Sequence, residues 1–167
     1  MKFLLLILFV LVSIPGLLSA QTEQYIVVRN LSSLATLDAA VKIDQLLDMN
    51  HLDATFEKGY RSISLLIQAK SSVSPLDKIK YFRSGRNMLE QSILEDVTSI
   101  ELHYLRFCVQ TNTPFFMNYS SNIEDDKRFI LLNWNKITDA DLKLRIRNYM
   151  LRSEYISDAE KQGFKNG

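Results

Sequence analysis

The chain has few groups able to do chemistry. Among 167 residues there are two histidines, His51 and His103, and one cysteine, Cys108. His103 and Cys108 are five positions apart, which turns them to nearly opposite sides of a helix and disfavours a local Cys–His nucleophile pair. His-Glu-x-x-His, Cys-x-x-Cys, a glycine-rich phosphate loop and Gly-x-Ser-x-Gly do not occur, so zinc, nucleotide and serine-hydrolase chemistry lack their anchors. No catalytic residue, metal ligand or cofactor is expected, and Cys108 reads as a small buried apolar residue. Glu101 sits on the apolar side of its segment. It is either a perturbed carboxylate or the second half of a capping box opened by Thr98, and the cap is the preferred reading. Glu124-Asp125-Asp126 is read in the same way, as electrostatic capping of a helix start in preference to a cation site.

Two features are left as candidate binding groups. His103, Arg106 and Gln110 form a polar stripe along an otherwise apolar helix, which either bonds to neighbouring helices or lines a groove. Pro114-Phe115-Phe116-Met117-Asn118-Tyr119 puts three aromatics and a methionine into one short connection. Phe115, Phe116 and Tyr119 then either plug the core or form a partner patch.

These groups must be positioned by helices. Leu34, Leu37 and Val41 recur at helical spacing from Ser33 to about Leu47. Leu52, Phe56, Gly59/Tyr60, Ile63 and Ile67 mark a second helix running to Ser71, with Gly59 at a close approach. Ser74-Pro75 with Asp77 is a helix start, and residues 75–95 place Leu76, Ile79, Phe82, Gly85, Leu89 and Ile93 on one side. Lys80, Arg83, Arg86, Asn87 and Glu90 take the other. The segment from Thr98 to Gln110 is apolar nearly all round, as a central helix must be. Asn122 opens a fifth helix lined by Ile123, Ile130, Trp134 and Ile137. Thr138-x-x-Asp141 opens a sixth, with Leu142, Ile146, Tyr149 and Met150 inward, and Ser157-x-x-Glu160 caps a terminal turn. Tyr25-Ile26-Val27-Val28 is β-prone but has no partner strand, and reads as an arm over the helices. The expected fold is all-α: five to six helices in antiparallel hairpins, as a tetratricopeptide-like right-handed array or a bundle.

Residues 1–20 read as a signal peptide: Lys2, the apolar run Phe3–Val12, the Pro15-Gly16 break and Ser19-Ala20 at the cut. Residues 21–167 are then a single helical domain of 147 residues, long enough to bury roughly 70% of its unfolded surface. Without Lys2, 19 Lys and Arg face 19 Asp and Glu. That balance gives no global drive toward nucleic acid, and no later stretch is apolar enough to span a membrane. One cysteine leaves an exported chain without an internal disulfide.

Gly85, Leu89, Ser92 and the Asp96-Val97 turn resemble the second helix of a tetratricopeptide unit. Val97 stands where the repeat carries proline, and the usual Trp and Tyr are absent, so this is at most one degenerate unit. A wider resemblance, from Gly59 to Ile130, is to small exported helical proteins of unknown function from Bacteroidota. It rests on Gly59, Ser74-Pro75, Lys78/Tyr81/Phe82/Gly85, Glu101/Leu102/Tyr104/Leu105/Arg106/Phe107, Gln110-Thr111-Asn112, Pro114 and Asn122-Ile123-Glu124. The resemblance implies export and a helical fold and brings no activity.

The expectation is therefore a periplasmic or extracellular, non-enzymatic binding or scaffolding module for another protein or peptide. Its rivals are a small periplasmic enzyme using Glu101 and His103, and a structural envelope component.

Overall fold

The structure is a computed structural model describing residues 15–50 and 52–165, with side chains from Thr22 onward. His51 and most of the expected signal peptide lie outside the described residues. Among the described residues the fold is all-α: α1 (Pro15–Leu34), α2 (Leu37–Met49), α3 (Ala54–Ser71), α4 (Pro75–Glu95), α5 (Ile100–Asn112), α6 (Ile123–Asn133), α7 (Ala140–Arg152) and α8 (Asp158–Lys165). Two 3₁₀ turns, Phe115–Met117 and Trp134–Lys136, flank α6. Eight helices exceed the five or six expected. The surplus arises at the two ends, in α8 and in α1, where Tyr25–Val28 continue a helix instead of forming an arm. Their β-propensity is overridden because the same side chains serve a helical face: Val28 is fully buried and Tyr25 packs edge-on against Phe56 at 4.3 Å.

Helix starts follow local hydrogen bonding. The helix expected from Ser33 is interrupted at Ala35 (φ 50°), and α2 restarts with Thr36 accepting from the Ala39 N–H. Leu34, Leu37 and Val41 consequently face outward, at 48–63% exposure, while Ala39, Ala40, Ile43 and Leu47 supply the core. Ser74 caps α4 with Pro75 in its first turn, as expected. The Thr98–Glu101 capping box does not form. Ser99 caps α5 by accepting from Leu102, Thr98 bonds to Asp96, and the Glu101 carboxylate is drawn elsewhere. Asp139, one residue later than expected, caps α7. Asn122 gives α6 no side-chain cap, whereas Ser157 and Glu160 do form their reciprocal box.

Two apolar clusters share α5. Leu102 and Leu105 join Val28, Ile43, Phe56, Tyr60, Ile67, Leu89 and Ile93 on one side, and Phe107 joins Ile130, Trp134, Ile146, Met150 and Phe164 on the other. A helix apolar nearly all round is what two cores on opposite flanks require. Gly85 lets α4 approach the α3 backbone, since a Cβ there would lie 2.9 Å from the Ser62 carbonyl oxygen. No helix of the described residues is long and apolar enough to cross a membrane.

Candidate functional site

The polar stripe of α5 turns toward α6 and α4. Arg106 is buried and grips Asp126 of α6 in a two-toothed contact, Nε donating to Oδ2 at 2.8 Å and Nη2 to Oδ1 at 2.7 Å. Its Nη1 donates to Glu90 of α4 at 2.6 Å. Burial works against the Arg106 charge, but these bonds outweigh it and hold the guanidinium above its ordinary range. His103 Nδ1 lies 2.6 Å from Asp126 Oδ1, its Nε2 faces the Val97 carbonyl at 3.2 Å, and its ring stacks on Phe129 at 4.0 Å. Gln110 exchanges hydrogen bonds with Asn122, donating to its side-chain oxygen at 3.3 Å and accepting from its backbone N–H at 3.2 Å. His103 and Arg106 thus share Asp126, Gln110 pairs with Asn122 one turn earlier at the start of α6, and none of the three lines the larger cleft described below. The acidic triplet divides in turn: Asp126 is fully buried in this network, and Glu124 pairs with Lys127 at 2.7 Å.

The aromatic loop divides too. Tyr119 is buried, donates to Glu90 Oε1 at 2.6 Å, meets Phe82 edge-on at 6.0 Å and lies under the Arg86 guanidinium at 4.8 Å. Burial pushes its hydroxyl pKa up, and the Glu90 carboxylate adds to the shift. Asn118 turns the chain through a left-handed residue (φ 48°), and Phe115 and Phe116 before it are 92% and 81% exposed. Tyr119 therefore plugs, while its two aromatic neighbours do not.

A cleft of about 490 Å³ opens where α1, α3, α5 and the start of α7 meet. Arg29 lies in its wall, 3% exposed, where sequence reasoning had placed only an arm. Its Nε and Nη2 donate to the two oxygens of Glu101 at 2.8 Å each, and its Nη1 to Asp139 at 2.8 Å and Asp141 at 3.2 Å. Tyr60 donates to Glu101 Oε1 at 2.8 Å. Burial opposes the Arg29 charge and the Glu101 bond more than restores it; burial and the Glu101 charge together drive the Tyr60 hydroxyl far up. Arg29 and Asp139 were not singled out from sequence, and Tyr60 was read only as part of the apolar stripe of α3. The available signal was a lone arginine closing the apolar run Tyr25–Val28.

In the cleft wall both Glu101 oxygens are engaged, Oε1 by Arg29 and Tyr60 and Oε2 by Arg29. His103, two residues along α5, faces Asp126 on another side, so Glu101 and His103 are not brought together. Half-buried Cys108 touches Tyr104 and Tyr149, and burial pushes its thiol up to about 12. A second cleft, of about 330 Å³, lies between Thr111, Tyr149 and Arg152–Tyr155. Among the described residues no three His, Cys, Asp or Glu side chains gather where a metal ion could be held.

Comparison with protein-family models, with curated proteins and with solved structures finds no match for this chain.

Proposed function

We propose that this chain is an exported, non-enzymatic helical protein, periplasmic or extracellular, that binds or scaffolds a partner through the loop between α5 and α6. One observation carries the reading: Phe115 and Phe116 stand 92% and 81% exposed on a turn whose next aromatic, Tyr119, is buried and bonded. Two large apolar side chains fixed in water are costly to keep exposed and are what a docking contact uses. The sequential packing of α1 on α2, α2 on α3 and α3 on α4, with Gly85 at the closest approach, supports reading the scaffold as tetratricopeptide-like helix hairpins. The ion pair that holds Glu101 to Arg29 speaks against the rival in which Glu101 works as an acid or base.

The test places a photo-crosslinking residue at Phe116 and, separately, at Leu144, which is 57% exposed on α7. In the native host, adducts enriched at position 116 over position 144 support the reading, whether the partner is a protein, a peptide or a lipid. Equal yields at the two positions remove it.

A further inference from the structure

The helix α4 divides at Gly85. Its carboxyl-terminal half buries Gly85, Leu89, Ser92 and Ile93, yet no side chain from Pro75 to Ser84 is buried. At about 100° per residue the four buried positions point one way, Leu76 falls almost opposite, and Ile79 lies between. Leu76 is 79% exposed and Ile79 45%. The same outward arc holds exposed Lys80 and Arg83, with partly buried Arg86 at its edge beside Tyr119. From Lys78 to Met88 the helix carries those three cations and Lys78 with no carboxylate, in a chain whose formal net charge is only +1. Tyr119 meets α4 at Phe82, Arg86 and Glu90. By the same helical count these three surround the direction of Ile79, so Tyr119 seats its loop, with Phe115 and Phe116, on that flank.

We propose that the amino-terminal half of α4 and the Phe115–Phe116 turn together dock the protein on an anionic lipid surface. This rests on the binding-module reading and names its partner. Lys and Arg attract acidic headgroups while their stems lie along the apolar boundary, and exposed aromatics enter that boundary. Asp77 and Glu90 bound this stretch, Glu90 is already engaged by Arg106 and Tyr119, and four cations between them leave the face net positive toward phosphate. The apolar groups also protrude: none of Leu76, Ile79, Phe115 or Phe116 lines either cleft. A protein hot spot is an anchor meeting a shaped pocket, whereas protruding rings among cations suit a deformable interface.

The test is co-sedimentation of the protein recovered from its host with vesicles of phosphatidylcholine alone and of an equal mixture with phosphatidylglycerol. All variants share one background, so any contribution of residues 1–20 is common to them. Binding to the mixed vesicles alone is expected, weakening as salt rises. Lys80→Glu with Arg83→Glu is expected to lower partitioning about tenfold or more, and Phe115→Ser with Phe116→Ser about tenfold. Lys42→Glu with Arg128→Glu makes the same change in net charge at exposed sites on α2 and α6 and is expected to shift binding less than about threefold. No sedimentation with the mixed vesicles at low salt overturns the proposal, as does an equal loss from the α2/α6 pair. Protein adducts at position 116 without vesicle binding remove the lipid partner and keep the binding module; no enriched adducts remove both.

Discussion

Arg29 in α1 and Glu101 at the start of α5, 72 residues apart, form a two-toothed ion pair with side chains only 4% and 15% exposed. Tyr60 of α3 donates to the carboxylate and Asp139 and Asp141 at the start of α7 accept from the guanidinium, so four helices converge on one ion pair. Arg145 reinforces the seam between α7 and α1, donating to Asp141 at 2.8 Å and to Asn30 at 2.6 Å.

Removing one partner of a buried pair leaves the other uncompensated. Arg29→Met is expected to cost about 3–5 kcal/mol, read as a fall in melting midpoint on the order of 10 °C. Adding Glu101→Gln to it is expected to recover part of the loss, because the buried Glu101 carboxylate is then no longer stranded. A double-mutant cycle by thermal denaturation measures this, and additive losses would show that the pair is uncoupled.

Arg106 makes the parallel arrangement between α4, α5 and α6. Asp126 is fully buried and receives two parallel N–H bonds, a geometry that a lysine ammonium cannot reproduce. Arg106→Lys is therefore expected to destabilise by about 2 kcal/mol or more despite keeping the charge. Chemical denaturation reads the difference, and a neutral Arg106→Lys would show that charge alone holds Asp126.

Legibility follows from how local each signal is. The stripe Phe56, Tyr60, Ile63 and Ile67 of α3 is buried as its spacing requires, and Ser74-Pro75 starts α4 where the capping chemistry places it. Leu76 and Ile79 misled, because the steps of three from Leu76 to Gly85 drift around a 3.6-residue helix and carry both away from the face of Leu89 and Ile93. The Arg29–Glu101 pair was hidden for a different reason. It spans 72 residues, and a single sequence contains no sign that α1 lies beside α5. Thr98 drew Glu101 into a capping box on paper, while Ser99 was free to cap and Arg29 offered the carboxylate two charged bonds. The exposure of Phe115 and Phe116 was likewise open, since it depends on which single ring of the loop fills the space beside Glu90.

Asp139 links this network to pH. Burial alone would raise its carboxyl, but the Leu142 N–H and Arg29 outweigh burial and hold it below its ordinary range. A depressed folded-state value stabilises above the unfolded value of about 3.9, and that stabilisation is lost as pH falls through the lower folded value. Asp139→Asn keeps a capping side chain and removes the charge. In urea titrations the gap between wild type and variant is expected to be full at pH 7 and to close in acid; a pH-independent gap would assign the effect to capping.

Gly59 of α3 and Gly85 of α4 respond differently to a methyl group. A Cβ at Gly85 would lie 2.9 Å from the Ser62 carbonyl oxygen and 3.2 Å from Leu65 Cβ, atoms tied to the α3 backbone. At Gly59 it meets only the tips of Leu102 and Leu105, which can rotate away. Alanine gains up to about 1 kcal/mol of helix propensity at either site, while overpacking against an unyielding neighbour costs about 1–3 kcal/mol. Gly85→Ala is thus expected to destabilise and Gly59→Ala to be near neutral, and reversed midpoints would mean that α3 and α4 can separate at that point.

The loop between α5 and α6 separates stability from docking. Tyr119 is 3% exposed, and its hydroxyl bonds the carboxylate that also receives Arg106. Tyr119→Phe removes that donor and leaves Glu90 with Arg106 as its remaining partner, so a loss of about 1 kcal/mol is expected. Phe115 and Phe116 have little to lose, since both rings are already in water, and Phe115→Ser with Phe116→Ser is expected to stay within about 0.5 kcal/mol of the parent. Denaturation midpoints give the first comparison and vesicle partitioning the second. Tyr119→Phe is expected to lower the midpoint and retain most binding, and the paired serine variant is expected to do the reverse. If the serine pair unfolded the protein as readily as the loss of Tyr119, the two phenylalanines would belong to the core and the docking surface would have to be sought elsewhere.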